Sequence, residues 1–532
     1  MEFTEFVIIV CCIFVPLFWF FFVYEEGHGP LGQSDIPGDL GTYFIGEGRE
    51  FFQNPLDFAY SRFATHGNIF KTKILGCGVV FVSGSRGLEL FSSGPEKGLG
   101  ASPEAFLHDL PAHSFSLTSH KRSVLMSESE FQHGFKHLAI LASVTSLCNR
   151  EEFFNECMHV IEMSMTAQAV LDEPFSGAKL CKDIFLHISV TVLMKETIHK
   201  SKLKELLEKW LAMQSTFPLS CLHLNRTWEA GRTAITELDE LLSEEVKSRL
   251  GTNREFGDDL IGCMLETAMR RSDGFGKTLQ DIIEKTVLTE CWTVVYGLSV
   301  HVACACTWLL VCLERFPNVK EAAITEVRNC PNSLQFGTLR TKGALPYLDA
   351  TIDEALRMYG FLGNPNMKRV ALFDISFENY TIPKGTPVLF PLNSPNFKDE
   401  NFEDASLFKP ERHLKGPRSS DDRSSFSFGV GHHTCPGDNM SRNMLKMVAA
   451  TLLTQFDSFA DPLQSFKPVY PRGKATRNNF PELGTETFYF PVPEDMMRYE
   501  RFNPRKLSFS SPRQYEDVNV SSDLSCDNLP DT

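Results

Sequence analysis

SFGVGHHTCPG, Ser427–Gly437, decides how this chain is read. Gly429, Gly431 and Gly437 thin out the side chains around His432, His433 and Cys435, and Phe426 and Phe428 come just before or within the loop. A zinc ion needs about four ligands with recognisable pair spacing. His432, His433 and Cys435 stand too close together to wrap one tetrahedral ion, and no second Cys/His pair stands nearby. A redox cysteine would want a C-x-x-C partner, which is absent here. What remains is a single thiolate under a planar cofactor, because residues without Cβ let the backbone pass flat beneath a large ring. A helix is expected directly after the loop, in NMSRNMLKMVAATLLTQF, and its N-terminal amides and dipole favour sulfur as the anion. Pro436 donates no amide, so those hydrogen bonds must come from Gly437 and Asp438 onward.

Phe428-Gly429-x-Gly431-x-His433-x-Cys435-x-Gly437 resembles the haem-binding signature of the cytochrome P-450 family, F-G-x-G-x-R-x-C-x-G. His433 stands where the family usually places an arginine on a haem propionate; histidine can donate that bond with a charge that depends on pH. Further marks occur in the family's order. Glu354-Ala355-Leu356-Arg357 resembles its E-x-x-R pair, and FKPER, Phe408–Arg412, the segment supplying the third member. The resemblance implies a buried ion network of Glu354, Arg357 and Arg412 that holds the cysteine loop. YTIPKGTPV, Tyr380–Val388, looks like the family's sheet segment. Arg369 in MKRVAL matches a position where the family places a propionate cation, with Lys136 and His137 in FQHGFKHL as further candidates. The implied cofactor is haem b, with Cys435 as the proximal iron ligand.

The long apolar segment Leu279–Phe316 ends at Pro317 and is expected to be a buried central helix over the haem. The family usually carries A/G-G-x-D/E-T there, an acid and an alcohol that help deliver protons. The corresponding run is Tyr296-Gly297-Leu298-Ser299-Val300: Gly297 fits, Ser299 replaces the acid and Val300 the threonine. Valine relays no proton; Ser299 can through an ordered water, and His301 follows. Tyr296, Gly297, Val300 and His301 are expected to line the substrate-facing side. Three functions stay open. One is mono-oxygenation by family default, with NADPH electrons from a reductase. Another is reductase-independent rearrangement of a lipid hydroperoxide or endoperoxide, as in enzymes resembling prostacyclin, thromboxane and allene oxide synthases. The third is haem binding without turnover.

The rest of the chain frames that site. Its 532 residues, 42% hydrophobic and 22% charged, have an ordinary globular balance. A net charge of −15 argues against a nucleic-acid partner. The 15 cysteines are scattered through apolar runs, as with Cys291, Cys304, Cys306 and Cys312, which suits free thiols in a reducing compartment. FVIIVCCIFVPLFWFFFVY, Phe6–Tyr24, is 19 uncharged residues, near the length of a membrane span. It lacks the basic start and small-residue cleavage site of a secretory signal, so it reads as an anchor. No Lys or Arg precedes Arg49, so the positive-inside rule has little to count. The sequons at Asn225, Asn379, Asn439 and Asn519 read as chance matches, since a glycan at Asn439 would disrupt the cysteine loop.

The expected organisation is an anchor over 1–26, a Pro/Gly-rich hinge over 27–50, a haem-thiolate catalytic domain over 51–500 and a disordered tail over 501–532. NIFKTKILGCGVVFVSG reads as a strand pair, Phe131 to Arg328 as mostly helical, and VALFDISF and TPVLFP as short strands. The fold class is mainly α with a smaller β region (α+β). The expected partners are a lipophilic small molecule such as a sterol, retinoid or fatty acid, the bilayer, and a membrane-bound reductase. The resemblance of the N-terminal run to retinoid- and sterol-oxidising branches points the same way. The expected location is the endoplasmic reticulum membrane, with the catalytic domain cytosolic.

Overall fold

A computed structural model of the chain describes residues 31–41, 46–53, 55–74, 77–94, 98–100, 141–171, 173–193, 200–215, 226–251, 256–270, 287, 291, 294–360, 366–396, 401–414, 426–431, 434–461 and 498–504. The anchor, part of the hinge and the tail beyond residue 504 lie outside them, as do Lys136, His137, His432 and His433. The fold is mainly α with a smaller β region.

The β-branched run after Asn68 forms a hairpin. β1 (Ile69–Ile74) pairs antiparallel with β2 (Cys77–Val82), from Ile69 opposite Val82 to Ile74 opposite Cys77. Phe70 and Phe81 face each other in that register and stack at 4.8 Å, so the pairing is locked by an aromatic layer as well as by the ladder. After β3 (Leu99–Gly100) and the short β4 (Phe175–Ser176), strands resume as β5 (Asn366–Ala371), β6 (Ile375–Phe377), β7 (Tyr380–Ile382) and β8 (Pro387–Pro391). The main sheet runs β1-β2-β8-β5-β3, parallel only between β2 and β8. β4 interrupts a stretch expected to be helical. Pro174 stands just before it and cannot continue a helix, and β4 joins β10 (Arg498–Pro504), which also pairs with β9 (Phe456–Asp461).

Among the helices, α1 (Gly84–Ser92) follows the hairpin, and α2 (Glu151–Leu171), α3 (Gly177–Leu193) and α4 (Lys200–Ser215) lead toward the central helix. That helix runs from Val294 to Arg315, 22 residues reaching a mean hydropathy of 1.9. Length and composition would suit a membrane span, yet most of it is buried inside the protein, with Trp308, Leu309 and Leu310 fully enclosed. It is not uniform: a π-turn occupies Gly297–Val302, between the α-helical residues 294–296 and the regular α5 (Ala303–Arg315). Pro317 ends it by opening α6 (Pro317–Asn329), and Pro346 likewise opens α7 (Pro346–Tyr359).

Aromatic pairs fix the central helix in place. Trp308 stacks on Tyr359 of α7 at 4.6 Å, and Phe316 stacks on Phe408 at 4.6 Å. α8 (Asp438–Gln455) packs against α5, α6 and α7 and is buried from Met444 to Thr454. Cysteine loop, E-x-x-R helix and central helix therefore meet around one core.

Candidate functional site

The cysteine loop needs its glycines. Gly429 (φ 77°) and Gly431 (φ 69°) adopt the left-handed region that side chains rarely tolerate. A Cβ at Gly431 would come within 2.4 Å of the Ser92 carbonyl oxygen at the end of α1. These turns let the chain fold back on itself: the Gly429 N–H donates to Phe426 O at 3.0 Å and the Cys435 N–H to Phe428 O at 2.7 Å. The Cys435 side chain is exposed by area, although protein surrounds it, because the surface it presents is a wall of a cavity of about 460 Å³. Enclosure pushes its thiol up; the Gly437 amide pulls it back down, and the Asp438 carboxylate opposes that pull. The anion therefore gains most when a cation arrives at the sulfur.

Behind the loop lies a buried ion network. Arg357 donates to Glu354 through Nε and a terminal nitrogen, both at 2.8 Å, and neither residue is exposed. Arg412 Nε donates to Glu354 Oε1 at 3.1 Å, and the Lys409 N–H reaches the same oxygen at 2.9 Å. His413 Nε2 meets Glu354 Oε2 at 2.8 Å, a partner sequence reasoning missed. Burial works to raise the Glu354 carboxyl, but the hydrogen bonds from Arg357 and His413 outweigh it and hold it at about 2.

The network reaches the cysteine loop through named bonds. Arg357 donates to the carbonyl of Asn396 at 2.7 Å, and the Asn396 side-chain oxygen accepts from the Phe426 N–H at 2.8 Å. Ser427 Oγ donates to Leu356 O at 2.5 Å, tying the loop to α7 directly. From the other end, Arg442 of α8 pairs with Asp353 of α7 and lies over the Phe428 ring at 5.1 Å. The loop is thus clamped on both sides of Cys435.

Across the cavity stands the central helix. Tyr296, Gly297, Leu298, His301, Val302 and Ala305 line it, and a Cβ at Gly297 would meet nothing within 4 Å. The expected set changes here. Ser299 and Val300 are buried and lie off the lining, and the Ser299 hydroxyl bonds to Ser189 of α3 at 2.8 Å. A π-turn carries an extra residue per turn, so a spacing counted on a regular helix assigns faces wrongly. The wider turn also brings i and i+5 together: Tyr296 and His301 meet edge to face at 5.1 Å. Leu298, Val302 and Ala305 carried no sequence signal beyond being apolar.

Arg369 of β5 lines the same cavity, with its guanidinium 5.9 Å from the Phe91 ring centroid. His433, Lys136 and His137 fall outside the described residues. No group of three or more His, Cys, Asp or Glu suited to a bare metal ion occurs among the described residues. The residues present fit a haem: one thiol on the wall, glycine-flattened backbone beside it, and a cavity shared with the central helix.

Comparison with known proteins agrees with this geometry. Residues 44–481 match the family described as cytochrome P-450. Cytochrome P-450 26B1 of Danio rerio is 24% identical over 433 residues, covering 78% of this chain and 80% of that protein. Taxane 13-alpha-hydroxylase of Taxus cuspidata is 25% identical over 474 residues, covering 84% and 89%. Abscisic acid 8'-hydroxylase 2 of Arabidopsis thaliana is 24% identical over 436 residues, covering 79% and 83%. Among solved structures, retinoic acid-bound cyanobacterial CYP120A1 has the same fold, with a TM-score of 0.69 at 19% identity over 88% of this chain and 99% of that one. A family match over most of its length, with hydroxylases as relatives, makes this chain a haem-dependent oxidoreductase of the cytochrome P-450 family.

Proposed function

We propose that this enzyme mono-oxygenates a retinoid- or sterol-like lipid at the endoplasmic reticulum membrane, held there by Phe6–Tyr24 and supplied with electrons by a membrane-bound reductase. The observation that carries this reading is the shared cavity, with Cys435 on one part of its wall and the π-turn on another. Relatives named for taxane and abscisic acid support compact isoprenoid skeletons over peroxides.

The haem, when bound, supplies dioxygen activation using electrons from NADPH. Cys435 would hold it through its thiolate, and the clamp from Glu354, Arg357 and Arg412 keeps the sulfur in position. Phe428, Gly429 and Gly437 line the cavity, and with Gly431, whose turn no side chain could make, they would form the surface against the ring. Arg369 would neutralise a haem propionate, with His433, Lys136 and His137, all outside the described residues, as further candidates. Leu298, Val302 and Ala305 exclude water from the substrate side. His301, on that wall and steadied by Tyr296, holds the proton that an acid supplies elsewhere in the family.

A carbon-monoxide difference spectrum of the reduced protein tests the ligand, and Cys435→Ser should abolish the thiolate band. With reductase and NADPH, retinoids or sterols should be hydroxylated. Rapid conversion of fatty-acid hydroperoxides without either, and no NADPH-dependent product, would replace this reading with the rearrangement.

A further inference from the structure

Two ionic rungs join α7 to α8, and one of them reaches further than the other. Lys446 of α8 pairs with Asp349 of α7, and one helical turn away Arg442 pairs with Asp353. The Lys446 rung touches only α7 and, at 3.1 Å, the Thr341 carbonyl ahead of it. Arg442 does more. Its Nε donates to Asp438 Oδ1 at 2.6 Å, and its guanidinium lies over the Phe428 ring at 5.1 Å. Phe428 shares the cavity wall with Cys435, and its carbonyl oxygen accepts the Cys435 N–H at 2.7 Å. Asp438 follows the cysteine closely, with its own N–H 3.4 Å from the Cys435 carbonyl oxygen. A cation against Phe428 and an anion against Cys435 thus border the loop that would hold the iron.

The Arg442 side chain is only 19% exposed, so little water screens its charge. Burial pulls the guanidinium down to about 10, which leaves it a cation at neutral pH. A charge is costly to keep in so dry a place, and the Lys446 rung already ties the two helices. Charge beside a haem ligand sets how readily the iron takes an electron: a cation favours the reduced, less positive iron, an anion the oxidised one. The step concerned is the uptake of one electron from the reductase, ferric to ferrous, with no bond made or broken. We propose that Arg442 is a positioning residue for that electron, its charge held against Phe428 so as to raise the reduction potential of the iron bound by Cys435, with Asp438 as the opposing charge. This rests on Cys435 as the iron ligand and is independent of which lipid is the substrate.

Spectroelectrochemical titration of the substrate-free, full-length holoenzyme tests this, with the reduced carbon-monoxide spectrum recorded alongside. Arg442→Gln should shift the ferric–ferrous equilibrium about tenfold toward ferric, a fall of about 59 mV. Arg442→Lys, which keeps the charge, should recover most of that fall. Asp438→Asn should move the potential the other way, by about threefold in the equilibrium, because its side chain is 41% exposed and water screens it. A loop that was merely loosened would shift with one sign in both positions, so opposite signs are the signature of charge. The proposal is overturned by an unchanged potential in Arg442→Gln, by shifts of one sign in Arg442→Gln and Asp438→Asn, or by Arg442→Lys falling as far as Arg442→Gln. Where Arg442→Gln holds no haem, Asp438→Asn decides alone, and a potential that stays or falls there overturns it. In all of these cases the thiolate band of the wild type persists and the ligand reading stands. A wild type without that band overturns both.

Discussion

The two faces of the cavity are built by different rules. Below it, the cysteine loop is held by ions and hydrogen bonds whose partners are nearly all named: Glu354, Arg357 and Arg412 on one flank, Arg442 and Asp353 on the other. Above it, the central helix offers a π-turn, an apolar wall and two polar rings. The lower face has to fix one sulfur atom, which rewards rigidity and redundancy. The upper face has to admit a substrate, and there Ser299 and Val300 are both buried and off the lining. Redundant bonding where one atom must be fixed, and an apolar, locally widened helix where a substrate must enter, is the division the cavity shows.

If rigidity below the sulfur matters most, breaking it should have the largest effect. Glu354→Gln removes the charge that Arg357 and Arg412 share and leaves cations buried without their partner, a loss of roughly 3–5 kcal/mol. The expected outcome is haem loss and a much lower urea midpoint. The same carboxylate sets an acid limit. Its folded value is about 2, below the ordinary 4.5, so the folded state favours the charged form. That stabilisation, about 3 kcal/mol, is complete above the ordinary value and disappears as pH falls from 4.5 toward 2. An acid-unfolding curve of Glu354→Gln should therefore be flatter across that window than the wild-type curve. Parallel curves would mean that the carboxylate is not the group that titrates.

The upper face is sharpened by comparing two neighbours. His301→Phe should lower NADPH-driven product formation about 100-fold while the reduced carbon-monoxide spectrum and substrate binding stay as they were. Ser299→Ala should change turnover little, because that hydroxyl is engaged with Ser189. Should Ser299→Ala prove the more damaging of the two, the proton path runs through the hydroxyl after all, and His301 is a wall residue.

That pair also marks how far the sequence could be read. The cysteine loop and the E-x-x-R helix were legible because their geometry is local. Glycines at Gly429 and Gly431 dictate the turns, and a spacing of three on a helix puts Glu354 beside Arg357. The hairpin and the buried central helix were legible for the same reason, as period and length. His413 was not, since only the tight turn Pro410–His413 brings it and Arg412 onto one carboxylate. Nor was the face of Ser299, because a π-turn shifts the register by an amount that no composition records.

The smallest expected effect concerns what holds the π-turn against its neighbour. Ser189 donates to Phe185 O at 2.7 Å, within its own helix. A hydroxyl has one proton, so in its contact with Ser299 it is the acceptor and Ser299 the donor. Ser189→Ala therefore strands the Ser299 hydroxyl in a buried site and should lower stability by about 1 kcal/mol. Ser299→Ala, which leaves Ser189 still bonded to Phe185, should lose less. The double variant should recover part of the Ser189→Ala loss, because no hydroxyl is left unpaired, giving a coupling of about 0.5 kcal/mol or more in a double-mutant cycle by urea unfolding. Strict additivity would show that the two hydroxyls do not share a proton, and that packing of α3 alone seats the turn over the cavity.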